Sequence, residues 1–313
     1  MAQQTAFETG LYGLQLSSTD IKSPEFTSEG TCPKCWVKDG QGIYLFKAGF
    51  TGAANVGKEP YSEYISSMFS KSIFPEETIQ YELEMFKGSL CSKCELFTNE
   101  KNGYVPFYKL IDANKVYNLN DVLRICKELG FENECRQMIL IDSLVFNQDR
   151  HLGNFGFIID NETFQIKKFA PMFDFNLSML CNALEEDLID FEKYQDKFLV
   201  GHKLGGLFSE IGRAILTPEL KAKLPKSFDF PMHPLYNMDS QRLERVCELF
   251  EDNFRKIAGS NIYKVFLSAP QKKTETRIDY SQKIIDVTKL AANSPTDVAN
   301  DIDVDPANPG DDY

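Results

Sequence analysis

The chain has 313 residues and a mass of 35.7 kDa, with 42% hydrophobic and 12% aromatic residues, 25 of them Phe, which excludes a small module or a disordered polymer and provides for a sizeable core. Lys and Arg number 34 against 46 Asp and Glu, so at a net charge of −12 neither nucleic acid nor an anionic membrane surface is an expected partner. The first thirty residues hold no basic region followed by an apolar run, and no stretch nears the roughly 18 apolar residues of a membrane span, so a cytoplasmic location is expected. Eight cysteines spread through such a chain read as reduced thiols or metal ligands rather than a disulfide framework.

Residues 1 to 31 are polar and punctuated by Gly and Pro. A hairpin is expected next, with Trp36-Val37 and Ile43–Ala48 flanking an Asp39-Gly40 turn. From Pro60, the helical spacing of Tyr61, Tyr64, Ile65, Met68 and Phe69 predicts a helix of about ten residues, with Glu63, Ser66, Ser67 and Ser70 on the opposite, polar face. Strands are predicted over 81–86 and 104–110, separated by a loop that holds Cys91 and Cys94. Beyond Asn120, a candidate N-cap, the pattern turns helical over 121–129 and 132–146, the second apolar on most faces. Two β-runs, 155–159 and 164–169, flank Asp160-Asn161, and helical stripes return at Leu243 to Ile257 and Ile284 to Leu290. Residues 294–313 carry six Asp and no Lys or Arg, which reads as a disordered tail. The expected architecture is α+β in two lobes: a small β-rich lobe over 1–112, a larger, mainly helical lobe over 113–293, and the acidic tail.

The chemistry concentrates where the buried helix ends. Asn147-Gln148-Asp149-Arg150-His151-Leu152-Gly153-Asn154 precedes the second hairpin, and Met172-Phe173-Asp174-Phe175-Asn176 follows it. An Asp, an Asn five residues later, and an Asp beyond a short hairpin form the layout with which kinases place one carboxylate at a substrate hydroxyl and two oxygen ligands on Mg²⁺. Upstream, Lys47 ends the apolar face of Ile43 and Leu45, and Glu63 on the following helix is the carboxylate that could hold it. Singly, such a Lys reads as solvated and such a Glu as a surface group. Their order relative to Asp149, Asn154 and Asp174 favours function. His151 reads as a core histidine.

At these residues the sequence resembles the HipA-like serine/threonine kinases, through NQDRHLGN followed by FAPMFDFN, with IYLFKAG and SEYIS upstream, over about residues 40 to 260. The resemblance implies a two-lobed protein-kinase-like fold and ATP with Mg²⁺ as cofactors. It implies that Lys47 holds the α/β-phosphates, that Glu63 pairs with it, that Asp149 is the catalytic base, and that Asn154 and Asp174 bind Mg²⁺. It places the interlobe hinge, with backbone groups offered to adenine, at Pro106, Phe107, Tyr108 and Leu110. A protein substrate is implied, with an antitoxin-type protein partner, a toxin or regulatory role, and autophosphorylation in the loop before the lysine, where Ser23, Thr27, Ser28 and Thr31 are candidates. The sequence departs from the family in having no clear glycine-rich phosphate loop before Lys47, and in carrying Asn176 where Gly is usual, Asn being a residue that tolerates a left-handed backbone. A phosphatidylinositol-type lipid kinase and a catalytically silent kinase-like binding module are the rival readings. Acidity argues against the first, and the intact set of Lys47, Asp149, Asn154 and Asp174 against the second.

Cys32-Pro33-Lys34-Cys35 and Cys91-Ser92-Lys93-Cys94 are two CxxC knuckles in the small lobe. Together they read as a structural zinc site, with reduced free thiols and a redox pair as the alternatives. Cys126, Cys135, Cys181 and Cys247 lie near helical stripes and read as core residues.

Overall fold

A computed structural model of the chain describes residues 34–38, 41–53, 55–112, 114–259 and 264–268. The expected first hairpin is present as β1 (Lys34–Lys38) and β2 (Ile43–Ala48), paired antiparallel with Lys34 opposite Lys47 and Trp36 opposite Leu45. Its Asp39-Gly40 turn lies outside the described residues. Because successive side chains alternate across a strand, the hairpin has two unlike faces. Cys35, Val37, Phe46 and Ala48 are buried on one of them with Phe86 and Cys91. The other carries Lys34, Trp36, Leu45 and Lys47.

Helix α1 (Glu59–Ile73) is longer than its sequence stripe, with Pro60 in the first turn, where a missing N–H is harmless. Its serine face is not the solvated one. Ser62, Ser66, Ser67 and Ser70 are all fully buried, as is Glu63. Small hydroxyls let the neighbouring backbone approach and then satisfy it: Ser67 accepts the Tyr81 N–H at 3.2 Å, and Ser70 bonds Thr78 at 2.8 Å. On its apolar side, Phe69 meets Phe228 and Phe250 edge-on, each at 4.9 Å between ring centroids.

The segment expected as a cysteine-bearing loop is a strand. β3 (Glu82–Phe86) and β4 (Ser89–Glu95) close a tight hairpin through Lys87 and Gly88, both at positive φ, 48° and 84°. The mirror-image twist of such a turn matches paired strands, and the polar sequence of β4 hides the element because the strand is buried between neighbours. The first sheet runs β1-β2-β4-β3. A second sheet follows, β5 (Asn102–Pro106), β6 (Gly156–Asp160) and β7 (Ile166–Phe169), in that order. The strand expected over 104–110 therefore stops at Pro106 and turns into a short 3₁₀ segment, Phe107–Leu110. Sheet pairing changes between residues 96 and 101, ahead of the lobe boundary expected at 112.

Helix α2 (Leu119–Glu128) is capped by Asn118 rather than Asn120, with its side chain accepting from Asn120 N and Asp121 N at 2.9 and 3.1 Å. Helix α3 (Glu132–Leu144) is buried along its second half and runs into the 147–154 loop. Short helices α4 (Glu185–Ile189), α5 (Phe191–Phe198), α6 (Phe208–Ile215) and α7 (Pro218–Lys223), too brief for a periodic signal, lead to β8 (Ser227–Pro231). The long α8 (Ser240–Ala258), N-capped by Asp239 and ended by Gly259 at φ 65°, confirms the Leu243 to Ile257 stripe. β9 (Lys264–Ser268) then pairs parallel to β8. The stripe at 284–290 and the acidic tail lie outside the described residues. Among the described residues, no helix is long and apolar enough to cross a membrane.

Candidate active site

Lys47 lies near the end of β2, buried against α1. Its Nζ donates to Glu63 and, at 2.6 Å, to Asp174 Oδ1, so strand, helix and the loop after β7 meet on one ammonium. Burial opposes the charge of Lys47, but the carboxylates of Asp174 and Glu63 outweigh it and hold the lysine protonated. Burial pushes Glu63 upward against the pull of Lys47, and Ser92 on β4 donates to its second oxygen.

Asp174 adopts a left-handed backbone, φ 60°, rare for a residue with a Cβ and typical of strained functional positions. The left-handed residue expected at Asn176 is thus two positions earlier. The Asp174 N–H donates to Tyr81 Oη at 3.2 Å. Burial alone would raise the Asp174 carboxyl, but Lys47, then Arg150 and Lys34, draw it below the usual carboxylate range. Next along the chain, Ser62 of α1 lies 2.6 Å from the Phe175 carbonyl and accepts the Ser178 N–H at 2.9 Å, tying this loop to the helix that carries Glu63.

The 147–154 loop is held from beneath. Arg150, fully buried, donates through Nε and Nη2 to the two oxygens of Asp142 at 2.9 and 3.0 Å, and through Nη1 to the carbonyls of Asn154 and Phe173 at 2.6 and 2.5 Å. One guanidinium therefore links α3, the loop and the residue before Asp174. Asn147 donates to Asp142 at 2.8 Å and accepts the Asp149 N–H at 3.2 Å. Buried His202 brings Nε2 to 3.7 Å from Asp142.

Asp149 is half-buried at the cleft side of this support. Burial raises its pKa, with Asp174 adding to the rise and His151, Lys203 and Arg150 opposing it. Asn154 donates its amide N–H to the Asp149 carbonyl at 2.9 Å, which fixes the amide plane and leaves its oxygen as a ligand atom. His151 is exposed, with Nδ1 accepting the Gly153 N–H at 3.0 Å, so the expected core histidine is instead His202.

At the expected hinge, Phe107 N donates to the Phe155 carbonyl at 2.8 Å and Tyr108 N to the Leu152 carbonyl at 3.0 Å, so these two N–H groups brace the catalytic loop. Among the described residues, an interlobe cavity of about 170 Å³ lies between Trp36, Leu45, Cys94, Leu96, Phe97 and Phe173, with the segment after β4 at its wall and without Pro106, Phe107, Tyr108 or Leu110.

Among the described residues, the knuckle cysteines Cys35, Cys91 and Cys94 do not converge on one point. Cys91 and Cys94 are three residues apart in one strand and so point to opposite faces: Cys91 joins Cys35 in the small cluster behind the sheet, Cys94 the main core. Burial pushes both thiols up to about 12. Cys32 lies outside the described residues, and among those described no group of three His, Cys, Asp or Glu could hold a metal. Ser23, Thr27, Ser28 and Thr31 also lie outside them. Cys126, Cys135, Cys181 and Cys247 are buried as expected.

Sequence reasoning missed Asp142, Arg150, Ser92, Tyr81 and Ser62. Asp142 carried a signal, being a lone carboxylate inside Met138-Ile139-Leu140-Ile141-Asp142-Ser143-Leu144, and buried charges are kept only with a partner.

No protein-family model and no curated protein matches the chain in sequence. Among solved structures it is similar to the Helicobacter pylori proinflammatory kinase CtkA, with a TM-score of 0.51 and 16% identity over 74% of this chain and 90% of that one. A second match is HipA of Shewanella oneidensis, a toxin–antitoxin protein solved with HipB and operator DNA, with a TM-score of 0.40 and 12% identity over 73% of this chain and 63% of that one. The first likeness agrees with the fold that NQDRHLGN and FAPMFDFN imply: the chain has the two-lobed, kinase-like fold of the CtkA structure.

Proposed function

We propose that the chain is an ATP–Mg²⁺-dependent protein serine/threonine kinase of the HipA-like type, acting on a protein substrate in the cytoplasm. The observation that carries this reading is the meeting of Lys47, Glu63 and Asp174 beside the loop that presents Asp149 and Asn154. Lys47 has the charge and reach to hold nucleotide phosphates, and Glu63 with Ser92 fixes its position. Asn154 and Asp174 offer an amide oxygen fixed by its own N–H bond and an ionised carboxylate, hard donors that fit Mg²⁺. Bound there, the metal would neutralise charge on the phosphates. Asp149 orients the substrate hydroxyl and accepts its proton at the carboxylate as the oxygen attacks the γ-phosphoryl group. The cavity beside Leu96 and Phe97 would receive the base. As the resemblance to the HipA-like kinases implies, an antitoxin-type protein is the proposed partner. Autophosphorylation at Ser23, Thr27, Ser28 or Thr31 would add about −1.5 to −2 charge near the phosphates and weaken their binding.

The test is incubation with labelled ATP–Mg²⁺ and whole-cell lysate, followed by phosphosite mapping, with Asp149→Asn alongside. Phosphorylated Ser or Thr in lysate proteins is expected for the parent, and turnover about 10² to 10⁴ lower for the variant, with nucleotide binding retained. Variant turnover within about tenfold of the parent would remove Asp149 from the mechanism.

A further inference from the structure

The first CxxC knuckle also contains a lysine, Lys34. Lys34 opens β1 directly opposite Lys47. Strand alternation puts Lys34 on the face of Trp36, and register puts both on the face of Leu45 and Lys47. Lys34, Trp36 and Leu45 line the interlobe cavity, which Phe97 and Phe173 wall on the other side. That face therefore passes from an apolar pair, Trp36 and Leu45, to a cationic pair, Lys34 and Lys47, within two residues. A flat ring attached to an anionic chain has the matching order.

Charge balance points the same way. Lys47 is one cation bonded to two carboxylates, Glu63 and Asp174, which leaves a negative excess where polyphosphate would have to enter. Lys34 is near enough to help draw the Asp174 carboxyl down, so its charge acts on the same site. The sequence also provides no clear glycine-rich loop to hold phosphates through backbone N–H groups.

We infer that Lys34 is a second phosphate-binding cation of the cleft, receiving the polyphosphate of a nucleoside triphosphate jointly with Lys47. The inference rests on the kinase reading but is tested by binding, without any need for transfer. Calorimetry compares ATP–Mg²⁺, adenosine and sodium tripolyphosphate on the parent, Lys34→Met and Lys34→Arg. Lys34→Met is expected to weaken ATP–Mg²⁺ and tripolyphosphate by about tenfold or more while adenosine stays within about twofold, and Lys34→Arg to recover most of the loss. ATP–Mg²⁺ affinity in Lys34→Met within about twofold of the parent overturns the inference, as does an equal loss for adenosine and ATP. A parent that binds and transfers while Lys34→Met binds equally well overturns this inference alone. A parent that binds neither ATP nor tripolyphosphate overturns the kinase reading with it.

Discussion

Two charge networks meet near Asp174, and they differ in what surrounds them. In the network behind the catalytic loop, the Arg150 and Asp142 side chains are 0% exposed, and every strong donor of the guanidinium points at a carboxylate oxygen or a carbonyl. In the cleft, Lys47 has two carboxylates for one cation, and Asp174 keeps 20% of its side chain exposed. The first is closed and the second open. A closed buried pair is a scaffold, because desolvating both ions is tolerable only when each is fully satisfied. An open one can exchange a protein partner for a ligand. The same residue types thus do different work, decided by whether the surroundings leave a ligand atom over.

The largest expected effect breaks the closed network. Arg150→Met leaves Asp142 buried without its cation and releases the carbonyls of Asn154 and Phe173, so thermal or urea unfolding should register a loss of about 3–5 kcal/mol. A loss under about 1 kcal/mol would place the pair among ordinary surface bridges. In the open network, Asp174→Asn keeps the left-handed backbone, which Asn tolerates, while deleting a charged ligand. Stability should change by less than about 1 kcal/mol while Mg²⁺-dependent nucleotide binding falls by about tenfold or more. Unchanged ATP–Mg²⁺ affinity by calorimetry would count against that role. The smallest effect is in pH. Burial would raise the Asp142 carboxyl, but Arg150 leads the groups that draw it lower. A depressed folded pKa contributes stability present above the unfolded value, about 3.9, and lost as pH falls below it. Denaturation midpoints followed from pH 6 to pH 3 should therefore fall more steeply for the parent than for Asp142→Asn, and parallel curves would contradict the assignment.

How much of this was legible depended on whether the signal was local. The first hairpin, α1, the buried α3 and the pair Asp149 and Asn154 were readable because periodicity and a contiguous motif carry them. Lys47 and Glu63 were readable through their order relative to that motif. β4 was not, because a strand buried between neighbours, with Ser92 and Lys93 among its cysteines, lacks the alternation that marks one. The separation of Cys91 from Cys94 was hidden for the same reason: CxxC spacing brings two thiols together on a turn, and on a strand it separates them. Phe107 and Tyr108 were assigned to the hinge by position alone, and only the pairing of β5 with β6 turns their N–H groups toward Phe155 and Leu152.

Nine of the fifteen residues of α1 are buried, including Ser67, Ser70 and Ser62, which bond Tyr81, Thr78 and the turn after Asp174. In many kinases the corresponding helix is the lever, swinging its glutamate away to switch the enzyme off. Here the helix is a bearing: rotating it would strand buried hydroxyls on one side and pull Phe69 from between Phe228 and Phe250 on the other. Control of such a molecule would therefore act on entry to the cleft rather than on its assembly, and on the proposed kinase reading a regulator that finds no movable helix would compete for Lys34 and Lys47.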